Sequence, residues 1–135
     1  MGQDGLWGDN INMKQEQMLR DIRKQTEKAQ SVDISREFEI VKLMKNKWRG
    51  RVIFEIIEKS PRTFGELKKE VPGISSTVLT TVLKSLMDRG IVIRTQIDEA
   101  PIHVEYTLTE KGEAMIPLFY EMLMWEAAYY PESFR

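Results

Sequence analysis

No cysteine occurs in these 135 residues, and histidine occurs once, at position 103. The first absence removes disulfides, thiolate nucleophiles and thiol-based redox sensing. The two together remove zinc centres built from Cys and His. A serine triad would have to run through His103, and no G-x-S-x-G elbow stands in the chain to support one. Neither a P-loop nor a G-x-G-x-x-G fingerprint appears. No apolar run approaches the roughly 18 residues that a membrane span requires. The first twelve residues have neither a basic n-region nor an apolar h-region, and Leu6 stands where myristoylation prefers Ser or Thr. The expectation is a cytoplasmic, non-enzymatic chain with no cofactor, no metal and no membrane partner.

The content that remains is that of a folded domain with an extension: 41% hydrophobic and 30% charged residues. The net charge is −1, but it is unevenly spread. From Lys59 to Arg94 seven Lys/Arg stand against three Asp/Glu, a net of +4; from Glu110 to Arg135 two stand against five, a net of −3. A basic centre beside an acidic end fits an anion-facing segment held by a separate assembly surface, and a solvated mixed-charge surface fits it equally.

Residues 13–30 are rich in helix formers, with a thin apolar stripe of Met18, Leu19 and Ile22. Such a helix is marginal alone and needs something to dock on. Residues 31–35 read as a connection after a glycine-bearing start (Gly2, Gly5, Gly8 around Trp7). Residues 36–59 carry apolar positions at helical intervals with a break near Asn46, and Ser60-Pro61 ends them. Thr63-Phe64-Gly65-Glu66 is a capping box opening a short helix that Pro72-Gly73 stops. Ser75 caps a further helix to about Arg89, where Gly90 suits a left-handed end. The pattern is a helix-turn-helix. After Gly90 the period falls to two: Ile91, Ile93 and Thr95 alternate with Val92, Arg94 and Gln96, then Val104, Tyr106 and Leu108 alternate beyond Asp98-Glu99-Ala100-Pro101. A hairpin in this place is a wing. Thr109 caps a last helix, Glu110 to about Tyr130, apolar over much of its surface. The fold class expected is mainly α with a β-hairpin (α+β), a winged helix-turn-helix. Three segments follow: an extension over 1–35, the winged helix over 36–112 and a dimerisation helix over 113–135.

In the helix beginning at Ser75, Leu79, Val82, Leu83 and Leu86 fall on one face. Ser76, Thr77, Thr80, Thr81 and Lys84 fall opposite, a short, hydroxyl-rich face able to enter a major groove about 12 Å wide. Arg94 on the wing, and Lys68 and Lys69 at the end of the preceding helix, are candidate phosphate contacts. His103 is the one wing-tip residue able to help, since Asp98 and Glu99 repel phosphate. Arg49 and Arg51 are either backbone contacts or the polar side of their helix. The apolar excess of Met115, Leu118, Phe119, Met122 and Trp125 exceeds what a small winged helix can cover, so with Met18, Leu19 and Ile22 it is the expected homodimer interface.

From about Lys47 to Trp125 the chain resembles the HxlR-type branch of the MarR-like winged-helix regulators. The likeness rests on Lys47-Trp48, Thr63-Phe64-x-Glu66-Leu67, Pro72-Gly73-Ile74-Ser75, Leu79-Thr80-x-x-Leu83-Lys84-x-Leu86, Arg89-Gly90-x-Val92-x-Arg94, Val104-x-Tyr106-x-Leu108-Thr109 and Gly112. It implies a homodimer joined by N- and C-terminal helices, a recognition helix at 75–89 and a wing at about 91–108. Many members carry a cysteine just ahead of the Lys-Trp helix; Phe38 and Glu39 occupy that neighbourhood here. The expected function is transcriptional regulation by binding double-stranded DNA at an inverted-repeat operator. The alternatives are a winged helix used for protein contacts, or a regulator with a small apolar effector at the dimer interface near Trp48, Phe119 and Trp125.

Overall fold

A computed structural model describes residues 13–28, 38–97 and 100–134. The glycine-bearing start around Trp7, the connection at 31–35 with the boundary drawn there, and the wing-tip residues Asp98 and Glu99 lie outside the described residues. The chain divides into two units, residues 1–38 and 39–135. The first contains α1, Met13–Lys28. Its side chains are exposed apart from half-buried Leu19, and a ladder of Arg20 to Gln17 (2.8 Å) and Gln17 to Asp21 (2.9 Å) supports its polar face.

The second unit opens with α2, Glu39–Met44, and α3, Lys47–Glu58. Asn46 makes the expected break: its side-chain oxygen accepts the Trp48 N–H at 2.9 Å and caps α3. β1 (Arg62–Thr63) follows, then α4 (Phe64–Glu70), α5 (Ser76–Asp88), β2 (Val92–Ile97) and β3 (His103–Leu108). Val71-Pro72-Gly73-Ile74 closes the α4–α5 turn, with Ile74 N–H donating to Val71 C=O and Gly73 at φ 82. Proline second and left-handed glycine third are what a type II turn requires. The stripe of Leu79, Val82, Leu83 and Leu86 is fully buried, packed with Ile53 and Ile56 of α3 and Leu67 of α4.

The expected hairpin forms from β2 and β3, and β1 adds a third strand by pairing antiparallel with β3, giving the order β1-β3-β2. One expectation needs correction: the alternation read from Ile91 does not describe burial, because Ile91 and Val92 are both buried while Ile93 to Gln96 are all exposed. Ile91 belongs to the end of α5. Its N–H reaches back to Leu86 C=O (2.9 Å) and that of Gly90, at φ 72, to Met87 C=O (3.0 Å). That is a Schellman cap, in which the residue after the glycine packs on the last helical turn. Beyond Val92 the wing stands out from the core, so both faces of β2 meet water.

The last helix is divided into α6 (Glu110–Glu113) and α7 (Ile116–Tyr129), followed by a 3-10 turn, Pro131–Phe134. Pro117 accounts for the break. It has no N–H to donate back and its ring crowds the preceding turn, so it sits in the first turn of a new helix.

Sequence reading passed over the most constrained polar group. Glu55 on α3 is 3% exposed, and two guanidiniums close on it. Arg62 of β1, itself buried, donates to the Glu55 backbone carbonyl (2.9 Å) and carboxylate (3.1 Å). Arg51 reaches the same carboxylate at 2.7 Å and the Glu70 carbonyl at 3.2 Å. Arg49 is likewise engaged, donating to the Lys42 and Leu43 carbonyls that end α2. Both arginines are thus tied into the fold. Removing Glu55 strands Arg62 out of water, so Glu55→Ala is expected to cost about 3–5 kcal/mol. Adding Arg62→Leu should recover part of that loss. Urea unfolding of the single and double variants measures both, and a double variant no more stable than the single one would refute the account.

The capping box forms as expected. Thr63 Oγ1 accepts from Glu66 N–H and Glu66 accepts from Thr63 N–H, each at 3.1 Å. The Thr63 backbone N–H holds the Glu66 carboxyl below the ordinary value of 4.5, with the Thr63 hydroxyl, Lys59 and Arg62 acting in the same direction. A carboxyl lowered in the folded state contributes stability above its unfolded value and loses it as pH falls through the lowered one. Stability should therefore fall on the acid limb, less steeply in Glu66→Gln. Thr63→Ala should cost about 1 kcal/mol at neutral pH. Equal acid slopes for the parent and Glu66→Gln would contradict this.

Candidate nucleic-acid interface

The buried stripe of α5 turns its other face outward, and Ser76, Thr77, Thr80, Thr81 and Lys84 are all exposed. The chain is not free to use their hydroxyls interchangeably. Ser75 Oγ accepts the Val78 N–H at 3.1 Å and caps the helix, leaving its own proton to donate. Thr80 Oγ1 donates to Ser76 C=O at 2.8 Å, and Thr81 Oγ1 to Thr77 C=O at 3.1 Å. A hydroxyl has one proton, so these two threonines present acceptor lone pairs and methyl groups. Donors suited to phosphate concentrate at the start of α5: the Ser75, Ser76 and Thr77 hydroxyls and the unsatisfied first-turn N–H groups. One turn further along, the surface suits base edges, where a methyl meets the thymine methyl and a lone pair accepts from cytosine N4 or adenine N6.

Lys84 is exposed and makes no ion pair among the described residues. Lys68 and Lys69 are exposed in the last turn of α4, where they also complement the helix dipole. Arg94 is exposed on β2, directly across from Tyr106. His103 begins β3 with Nε2 3.0 Å from the Glu105 carboxylate, a neighbour that makes it a poor phosphate ligand.

A second set of contacts, which motif reading missed, joins the end of α5 to the helices that follow the wing. Three consecutive carbonyls at this corner are taken up by the start of α6. Thr109 Oγ1 donates to Gly90 C=O, Thr109 N–H to Ile91 C=O (2.9 Å), and Lys111 Nζ to Arg89 C=O (2.8 Å). Thr109 Oγ1 in turn accepts the Gly112 N–H at 3.0 Å and caps α6. Gly112 must lack a side chain, because a Cβ there would fall on the Ile91 carbonyl oxygen and within 3.2 Å of Leu108. A glycine in the first turn of a helix was the available signal.

On α7 the expected interface residues separate. Phe119 is a core residue: it is 6% exposed and stacks on Phe54 with ring centroids 6.2 Å apart. Met115 is half-buried, while Leu118, Met122 and Trp125 are exposed, the last beside Tyr129 and Tyr130. Met18 and Ile22 of α1 are exposed and Leu19 half-buried. A cavity of about 280 Å³ beside Phe119 is lined by Phe54, Met122, Leu123 and Glu126, without Trp48 or Trp125. Trp48 instead lies under the Lys47 ammonium at 4.6 Å. Among the described residues no cluster of His, Asp or Glu suits a metal, and no helix is long and apolar enough to cross a membrane.

Comparison with known proteins agrees with this geometry. The regulator YodB of Bacillus subtilis is 39% identical over 83 residues, 62% of this chain and 73% of that protein. YvaP of the same organism, described as an uncharacterised HTH-type transcriptional regulator, is 34% identical over 94 residues, 70% and 86% of the two chains. Among solved structures, the reduced form of YodB superposes with a TM-score of 0.61 at 35% identity, covering 67% of this chain and 88% of that one. A MarR-family regulator from Porphyromonas gingivalis gives 0.62 at 33%, with the same coverage. The chain is a helix-turn-helix transcriptional regulator and not an enzyme. The HxlR-like helix-turn-helix model matches residues 43–134, from the end of α2 through the 3-10 turn, and it is to this family that the chain belongs.

Proposed function

We propose that this regulator binds double-stranded DNA sequence-specifically as a homodimer, with α5 in the major groove and α7 at the interface between copies. The observation that carries the DNA half is the composition of the open face of α5. From Ser76 to Lys84 five short polar or cationic side chains and no acidic one stand on a helix whose other side is locked into the core, with Asp88 following on the same face in the last turn. Ser75, Ser76, Thr77 and the helix N-terminus hold phosphate, and Thr80, Thr81 and Lys84 face base edges. Arg94, with Lys68 and Lys69, adds phosphate contacts. Lys84→Ala should cost about 1–3 kcal/mol on the cognate site and relax preference at one position. Arg94→Ala should weaken all sequences alike and lower the salt slope by about one per bound half-site. Titrations on selected and scrambled duplexes across a salt series separate the two. Binding that ignores salt would favour the protein-contact reading instead.

The dimer half is supported by α7, a largely apolar helix with one buried residue, Phe119, and with Leu118, Met122, Met124 and Trp125 left in water. Apolar surface of this extent on one helix is costly to leave hydrated. The stripe of Met18, Leu19 and Ile22 gives α1 an apolar side for the same assembly. Two recognition helices related by a two-fold axis enter successive major grooves when about 34–36 Å apart, so the operator is an inverted repeat with half-sites about 10–10.5 base pairs apart or a small multiple. Leu118→Glu with Met122→Glu, both outside the core, should dissociate the dimer and abolish protection of paired half-sites. Sedimentation and footprinting read these, and a stable monomer of the parent chain at micromolar concentration would overturn the assembly.

A further inference from the structure

The first turn of α3 reads Lys47-Trp48-Arg49-Gly50, two cations and no acid, at the end where a helix dipole favours the opposite charge. Arg49 is compensated, since it donates to the Lys42 and Leu43 carbonyls at the end of α2. Lys47 has no such partner. It is exposed, makes no ion pair among the described residues, and rests its ammonium 4.6 Å from the centre of the Trp48 ring. That cation–π contact is what offsets its unfavourable place. The ring beneath it is fixed. Trp48 is half-buried and packs on the core, and its far edge passes the α4–α5 turn: a Cβ built at Gly73 would lie 3.9 Å from Cη2. Two residues beyond Gly73 stands Ser75, the cap of α5, and ahead of the turn stand exposed Lys68 and Lys69. Of the acids on α4, Glu66 is bonded to Thr63 and paired with Lys59, and Glu70 is exposed beside Lys69.

We propose that Lys47 is a phosphate contact flanking α5, and that Trp48 is the residue that positions it. The inference deepens the DNA-binding reading above and rests on it. An ammonium carries three N–H donors. The indole face takes one side of it, and the other side is open to water, where a backbone oxygen of the duplex can be met. A free lysine loses much rotamer freedom when it binds a phosphate, and one already seated on a ring loses less. The ring does not neutralise the charge as a carboxylate would, so Lys47 keeps its attraction for an anion. Because the same indole edge lies beside the turn that starts α5, the charge is placed relative to that helix. Lys47, Lys68 and Lys69 then form a basic flank next to the hydroxyl-rich face. A point charge on phosphate carries no sequence information, so the contact adds affinity to every duplex and specificity to none.

The test titrates the full chain with its selected operator and with a scrambled duplex across a salt series. Lys47→Ala should weaken both duplexes several-fold and alike, and lower the salt slope by about one per bound half-site. Its unfolding midpoint should hold or rise, because a cation leaves the positive end of a helix. Lys47→Arg, which can stack on the same ring, should restore most of the affinity. Trp48→Leu keeps the charge and removes the platform, so it should weaken binding while the salt slope stays. The same change made on Lys47→Ala should do little more, which is the coupling that a positioning role requires. Full affinity and slope in Lys47→Ala overturn the contact. A loss confined to the operator overturns its assignment to phosphate. Trp48→Leu costing the same in both backgrounds overturns the positioning role and leaves Trp48 a packing residue alone. Salt-independent binding by the parent chain would overturn the DNA reading itself, and this contact with it.

Discussion

Glu55 sits in the middle of α3 with its carboxylate out of water, a position tenable only while Arg51 and Arg62 close over it. A carboxylate so placed would otherwise carry a desolvation penalty of several kcal/mol. Satisfying it dictates geometry elsewhere. Arg62 must stand beside α3, which holds β1 there and, through the Arg62–Tyr106 and Thr63–Glu105 pairs, brings in β3. Arg51 spans from Glu55 to the Glu70 carbonyl at the end of α4. One acidic side chain thereby locates the sheet and the first helix of the helix-turn-helix against the same element.

The position of α5 follows from both of its ends. At its start the type II turn and the Ser75 cap set where it begins; at its finish the Schellman cap buries Ile91 and turns the chain into β2. The carbonyls left at that finish are then claimed by Thr109 and Lys111 from beyond the wing. Gly112 makes the approach possible, since any side chain there meets Ile91 C=O. The helix proposed to read DNA is thus hydrogen-bonded at its end to the start of α6, the short helix that leads into α7.

Local chemistry made much of this legible in sequence. Capping boxes, left-handed glycines and 3.6-residue stripes act within a few residues of themselves, so Thr63-Glu66, Ser75, Gly90 and the Leu79–Leu86 stripe were readable directly. What escaped was non-local. Nothing adjacent to Arg62 marks it as a strand residue; its pairing with Tyr106 and Glu55 depends on chain far away or on another element. Phe119 looked like one more apolar residue on an apolar helix, and only the presence of Phe54 opposite separates it from Leu118 and Met122. Periodicity after Gly90 misled for a related reason: Ile91 has the spacing of a strand residue but serves as a helix cap. The missing cysteine was legible throughout. It leaves these residues no thiol chemistry.

The hydroxyl-rich face of α5 carries a last consequence for specificity. Side chains that read single bases strongly do so through two parallel hydrogen bonds, as Arg does with guanine and Asn with adenine. No such side chain lies among Ser76, Thr77, Thr80, Thr81 and Lys84, and the protons of Thr80 and Thr81 are already spent within the helix. If α5 reads DNA as proposed, discrimination by this face rests on methyl contacts, single acceptors and one lysine, each modest alone. In the proposed homodimer the remainder comes from how readily a sequence adopts the groove width and twist that a pair of recognition helices demands. Such a face would tolerate substitutions at directly touched positions better than a bidentate reader does, and would be sensitive to the base steps lying between half-sites that it never touches.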